Sequence, residues 1–194
     1  AAFALVYRAA TGLHPHSGEG TPPLHGDYEA QRHWMEIARA LPPRDWYRET
    51  PENNLDYWGL DYPPLSGYAS AVAAWFLHKI EPEALVLGTS RGYESPRSRA
   101  AMRVSVLAAD LFILFPALIA FVAVVYERTA IARPQAAARA VFMFVLSLPA
   151  LVLIDHGHFQ YNGVSLGLFV ASLAAMAADL HPVLPDRTAG RLRL

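Results

Sequence analysis

The stretch "VSVLAADLFILFPALIAFVAVVY", Val104–Tyr126, carries one charge, Asp110, in an otherwise apolar run. At helical rise it is long enough to cross a bilayer core of about 30 Å. Pro116 sits inside it, and membrane helices tolerate an internal proline better than soluble ones do. Two shorter runs follow, "AVFMFVLSLPALVLI" (Ala140–Ile154) and "VSLGLFVASLAAMAA" (Val164–Ala178), and a weaker one precedes it, Leu65–Ile80. Their crowding argues against buried helices of a large globular protein and for an all-α, polytopic membrane protein.

The composition agrees. Of the 194 residues 54% are hydrophobic and 17% charged, and the mean hydropathy is +0.20, high for a soluble domain. With 16 basic and 17 acidic residues there is no global field to attract nucleic acid. The absence of cysteine excludes disulfides and thiolate metal sites. The chain opens on "AAFALVYRAA" without an initiating Met, which reads as the tail of a truncated first transmembrane helix, residues 1–8. We therefore expect a fragment: a long polar loop over 9–64, transmembrane helices and short loops over 65–180, and a terminal loop over 181–194.

Charge and chemistry concentrate in the loop. "HGDYEAQRHWME", His25–Glu36, packs an Asp, two Glu, an Arg, two His and a Trp into twelve residues. From Asp27 to Leu41 the periodicity is helical: Ala30, Trp34, Ile37 and Leu41 share one face, Glu29, Arg32, Glu36 and Arg39 another. Pro42 and Pro43 end it. Such a helix is expected to lie in the membrane interface with its Trp face down. Asp27 reads either as the helix N-cap or as a general base, and spacing alone favours the cap.

A second cluster, "LDYWGLDYPPLSGY" (Leu55–Tyr68), alternates Asp56 and Asp61 with aromatic rings. Rings beside carboxylates hold sugars, yet Trp and Tyr also collect at membrane interfaces, so both readings stand. A third, "LIDHGHFQYNG" (Leu153–Gly163), offers Asp155, His156 and His158. Alternate residues of one helix do not share a face, and no third ligand is spaced to help, so spacing argues against a metal.

Together "HGDYEAQRHWMEIA", "NNLDYWGLDYPPLSGY", "SRGYES" and "LIDHGHFQYNGVSLG" closely resemble the endoplasmic-reticulum glucosyltransferases that use dolichyl-phosphate-glucose, multi-spanning enzymes of glycosyltransferase fold C (GT-C). The match runs in order from about Thr11 to Gly167; Ala38 departs from the Thr common at that position. The first two motifs look like the subfamily that adds the first glucose to the lipid-linked oligosaccharide. The alternative is the second-glucose subfamily, which keeps mainly "LDYPP" and "HFQYN".

The resemblance implies the N-terminal part of a GT-C enzyme of the endoplasmic-reticulum membrane, with a lumenal first loop containing short interfacial helices. Its donor would be dolichyl-phosphate-glucose, its acceptor the dolichol-linked Man9GlcNAc2 oligosaccharide, and the product an α-1,3 linkage in the N-glycosylation pathway. No cofactor is implied. Asp27 becomes the expected catalytic base, and Asp61 a substrate-binding residue or alternative base. Glu29, Arg32, His33, Trp34 and Tyr62 are expected to bind substrate. Two other classes fit the bare composition. One is a transporter or binding protein working through Asp110, whose bland alternative is a pairing with Arg103. The other is a metallohydrolase using His25, Asp27 and His33, for which no dedicated motif exists.

Sidedness follows from arginines and crossings. Arg91, Arg97, Arg99 and Arg103 favour the cytoplasm for the loop before Val104–Tyr126, against Arg128, Arg133 and Arg139 after it. If Leu65–Ile80 crosses, the count leaves His156, His158, Gln160 and Asn162 about one bilayer thickness from Asp27. "DHGHFQYN" would then be structural. If Leu65–Ile80 is re-entrant, the count flips.

Overall fold

A computed structural model describes residues 2–127 and 134–179, and among these it is helical throughout, with no strand. The elements are α1 (Ala2–Thr11), α2 (Gly26–Ala40), α3 (Pro64–Ile80), α4 (Pro96–Ala109), α5 (Phe115–Glu127), α6 (Pro134–Leu146), α7 (Pro149–Val152) and α8 (Asn162–Asp179). Arg128, Arg133 and the terminal loop over 181–194 lie outside the described residues.

One helix among the described residues is long and apolar enough to cross a membrane by itself, Pro96–Tyr126. It joins α4 to α5 through a π turn at Asp110–Leu114, and its 31 residues span roughly 45 Å. The turn lies just before Pro116, where the ordinary helical ladder lacks a donor, and the Phe115 N–H reaches back to the Asp110 carbonyl. Ser95 caps α4 with a reciprocal capping box to Ser98, and Pro96 occupies the first turn. The Ala140–Ile154 run is not one straight helix. Gln135–Leu146 and Pro149–Phe159 meet at 49°, with Pro149 at the break, and the second arm passes from α7 into a π-helical segment, Leu153–Phe159. The shorter apolar helix Asn162–Ala178 packs against the long one. At Gly167 an added Cβ would stand 2.8 Å from the Ile113 side chain, so the glycine sets how closely the two backbones approach.

Asp110 is almost fully buried. It pairs with Arg8 of α1 at 2.5 Å and with His156 Nε2 at 2.9 Å, not with Arg103. Arg103 instead donates to the carbonyls of His156 and His14. Arg8 also donates to the Leu146 carbonyl at 2.7 Å, so one buried guanidinium ties α1 to the long helix and to the end of α6. A buried charge is tolerated in such a place because it is paired.

The weak apolar run forms α3, and α3 runs alongside α2. Near its start Tyr62 sets its ring edge-on to Trp34, with centroids 5.2 Å apart. Midway, Ala71 packs on the Ile37–Ala38–Trp46 cluster. Near its end His78 Nε2 lies 2.9 Å from Arg39, and the 3-10 turn Pro82–Leu85 offers the Ala84 carbonyl to Arg32. Both ends of α3 thus return to the loop helix. Counted relative to α2, α3 does not carry the chain away.

Candidate active site

Two segments distant in sequence converge at Asp27. It sits in the first turn of α2, one residue after Gly26, and it is not the cap: His25, in left-handed backbone, holds that position without a side-chain hydrogen bond. The chain reaches this point through a close crossing of two glycines. Gly18 (φ +75°) and Gly26 (φ +64°) both adopt the left-handed region, and a Cβ on Gly26 would stand 2.8 Å from the Gly18 backbone. Only glycine fits both demands. Ser17 then secures the crossing, its Oγ facing the Asp27 N–H at 3.4 Å and its own N–H donating to the His158 carbonyl at 3.0 Å.

The Asp27 carboxylate turns to the other segment. His158 Nε2 lies 2.8 Å from Asp27 Oδ2, and Gln160 Nε2 donates to the same oxygen at 2.5 Å. Oδ1 carries no hydrogen bond among the described residues, and the side chain is 28% exposed. This overturns the crossing count that placed "DHGHFQYN" one bilayer thickness away. The error enters at Leu65–Ile80, since α3 stays beside α2. Pro96–Tyr126 is then the first departure, and the bent pair after it brings His158 back.

The three polar residues of the returning segment take different partners. Asp155 accepts from Asn162 Nδ2 at 2.8 Å and from the Gly163 N–H at 2.7 Å, His156 joins Asp110, and His158 meets Asp27.

Behind Asp27, Glu29, Arg32 and Glu36 of the charged face of α2 are buried instead of wet, while Arg39 at its end stays exposed. Arg32 forms a two-pronged pair with Glu29, both contacts 2.6 Å, and reaches Glu36, Ser90 Oγ and the Ala84 carbonyl at 2.7–2.8 Å. Tyr57 donates to Glu29, and Ser90 and the Gly88 N–H donate to Glu36. Burial alone would raise the Glu36 carboxyl. His33, the Arg32 guanidinium, the Gly88 N–H and Ser90 outweigh it and hold it down at about 2. The expected interfacial helix, with one face in lipid and one in water, is therefore a core helix whose charges compensate one another.

Glu29 and Arg32, expected to touch substrate, are fully buried and line neither of the two cavities that Gln160 borders. They brace α2 from behind. His33 is buried as well, its ring edge-on to Tyr57 and its Nδ1 3.4 Å from Glu36. Trp34 and Tyr62 line a cavity. Asp61 is exposed and has no hydrogen-bond partner among the described residues. Periodicity placed Glu36 on the charged face without its burial and gave no role to His158 or Gln160; the "HFQYN" stretch was visible, but the crossing count set it aside.

Two cavities share Gln160, the residue that donates to Asp27, although Asp27 itself lines neither. The smaller, about 450 Å³, is of mixed lining, with Tyr62, Asp155, Gln160 and Asn162 beside Ala150, Leu151, Ile154 and Leu166. The larger, about 810 Å³, is an apolar groove between α3 and the long helix. Trp34, Tyr62 and Gln160 stand at its polar end, Trp75, Phe76 and Phe112 along its length. A carboxylate with one free oxygen, near a recess of mixed lining and an apolar groove, suits a reaction on the head of a lipid.

Comparison with known proteins accords with this. Residues 4–183 match the ALG6, ALG8 glycosyltransferase family. The chain is 49% identical over 177 residues to a probable dolichyl pyrophosphate Man9GlcNAc2 alpha-1,3-glucosyltransferase of Arabidopsis thaliana, covering 91% of this chain and 33% of that protein. It is 46% identical over 177 residues to the dolichyl pyrophosphate Man9GlcNAc2 alpha-1,3-glucosyltransferase of Gallus gallus (91% and 34%) and to a probable one of Dictyostelium discoideum (91% and 33%). The chain spans about a third of the length of these relatives. On the extent of the match, it belongs to the ALG6, ALG8 glycosyltransferase family.

Proposed function

We propose that the protein carrying this chain transfers the first glucose from dolichyl-phosphate-glucose to dolichol-linked Man9GlcNAc2, with Asp27 as general base. The observation that carries the assignment is the Asp27 carboxylate, held through Oδ2 by His158 and Gln160 and open at Oδ1, with Gln160 bordering both the small recess and the apolar groove. The relatives bear the name of this acceptor and this linkage.

The chemistry asks little more of the enzyme. The leaving group is a phosphate ester, already a stable anion, and needs no proton. The acceptor hydroxyl gives its proton to Asp27 Oδ1 while its oxygen forms a bond to the anomeric carbon. The bond from that carbon to the phosphate oxygen breaks, and its electron pair leaves with dolichyl phosphate. A β-linked donor then gives an α-linked product by inversion, without a covalent enzyme intermediate. The groove is suited to a polyisoprenoid chain. Trp34 and Tyr62 at its polar end are suited to stack on sugar.

The same reading makes the chain part of a multi-pass protein of the endoplasmic-reticulum membrane. With α3 held on the α2 side, the residues around Asp27 and His158 face the lumen, and the end of α5 and the start of α6, where Arg128, Arg133 and Arg139 cluster in sequence, face the cytoplasm. The positive-inside rule prefers this for those arginines, though not for Arg91–Arg103.

The test is glucose transfer by the full-length protein, reconstituted with a dolichyl-phosphate-glucose analogue and a high-mannose lipid-linked acceptor, with and without EDTA. Chelator-insensitive formation of an α-1,3-glucosylated product is expected. No transfer under conditions where the substrates bind would overturn the assignment.

A further inference from the structure

His158 and Gln160 are two residues apart, yet both reach one oxygen of Asp27. In a regular helix, side chains at that spacing point to different faces and do not both address a single atom. The residue between them explains the convergence. Phe159 has φ +91°, in the region glycine favours, and it ends the π-helical segment; Gln160 is already extended. A bulky residue held there is strained and persists only where its surroundings over-determine it.

They do so here. The Phe159 ring is fully buried, tilted on Tyr28 with centroids 4.9 Å apart and edge-on to Tyr161 at 5.7 Å, and the Arg103 guanidinium lies over it at 5.3 Å. Tyr28 directly follows Asp27 in the chain. Its ring is itself buried and stacked on His16 at 4.0 Å. The ring contact therefore fixes the spacing between the backbone that carries Asp27 and the backbone that carries its two partners.

Resting on the assignment of Asp27 as base, we infer that His158 and Gln160 are positioning residues that pin the carboxylate through Oδ2, so that Oδ1 alone receives the hydroxyl proton. Phe159, wedged against Tyr28, is what aims them. Neither residue needs to touch substrate for this. A carboxylate free to rotate presents its basic lone pair in one orientation among several, and small misplacements at a reacting atom cost up to about a hundredfold in rate.

The experiment is a double-mutant cycle on the full-length protein, following kcat and KM for glucose transfer together with the thermal midpoint. His158→Ala should lower kcat about tenfold to a hundredfold with KM nearly unchanged. His158→Gln, which keeps an N–H donor, should recover most of that loss. In an Asp27→Asn background, His158→Ala should cost nothing further, because the carboxylate it positions is gone. If His158→Ala does not fold, the cycle with Gln160→Leu decides in the same way. Losses that multiply in the double variant, or an unchanged kcat in the single ones, overturn the inference. An Asp27→Asn protein with normal turnover overturns the base assignment instead, and an unmodified protein without transfer overturns the proposed function.

Discussion

Asp27 and His158 stand 131 positions apart in the chain and 2.8 Å apart in space. One leads the loop helix, and the other ends a bent arm that returns to it. The pair makes Asp27 the residue to change first. Asp27→Asn keeps the shape and an oxygen near His158 but removes the base. Glucose transfer should fall by about 10²–10⁴, the range for a positioned general base. Turnover within a fewfold of normal would give Asp27 a structural role and promote Asp61.

Arg32 should govern stability more than substrate affinity. It compensates two buried carboxylates, Glu29 and Glu36, and its removal leaves both without their counter-charge. Breaking a buried pair from one side costs roughly 3–5 kcal/mol. Arg32→Met should therefore lower the thermal midpoint of the detergent-purified protein sharply. Glu29→Gln combined with Arg32→Met should be less damaging than Arg32→Met alone. If Arg32→Met melts normally and instead raises KM, Arg32 binds substrate after all.

Much of this was legible in the sequence, and the reasons for the rest are physical. The long apolar run needs only length and hydropathy, and it is the helix Pro96–Tyr126. The period of α2 was clear and its end at Leu41 fell where the prolines required. Its environment was not clear. A face bearing Glu29, Arg32 and Glu36 looks solvent-exposed until Tyr57, Gly88 and Ser90, far along the chain, supply the partners that make burial tolerable. Asp27 looked like a cap because a cap is a local matter, whereas its actual partners come through a tertiary contact. The misplacement of His158 has one source: apolarity alone cannot separate α3, tied at both ends to α2, from a helix that crosses.

Glu36 should leave a signature in acid. Its carboxyl is held at about 2 in the folded protein, against about 4.3 for an unperturbed Glu. A depressed folded value means that the stabilisation is complete above the unfolded value and is lost as pH falls through about 4 towards 2. The amount is on the order of 3 kcal/mol. Thermal midpoints should therefore drop steeply across that window. Glu36→Gln should flatten the drop while lowering stability at neutral pH. Parallel curves for the two proteins would show that Glu36 is not so depressed.

The glycine crossing that delivers Asp27 can be tested against an internal control. Gly20 and Gly26 have almost the same φ, +65° and +64°, so alanine at either incurs a similar left-handed strain, about 1–2 kcal/mol. The surroundings differ. A Cβ on Gly20 meets nothing within 4 Å, whereas one on Gly26 would lie 2.8 Å from the Gly18 backbone, which has no flexible end to move aside. Gly20→Ala should therefore lower the thermal midpoint slightly and leave turnover intact. Gly26→Ala must push the 17–18 segment and the start of α2 apart, carrying Asp27 away from His158 and Gln160. A shift of even 1 Å there should lower kcat by about a hundredfold. Equal effects of the two substitutions, on both melting and turnover, would mean that the crossing does not hold the carboxylate in place.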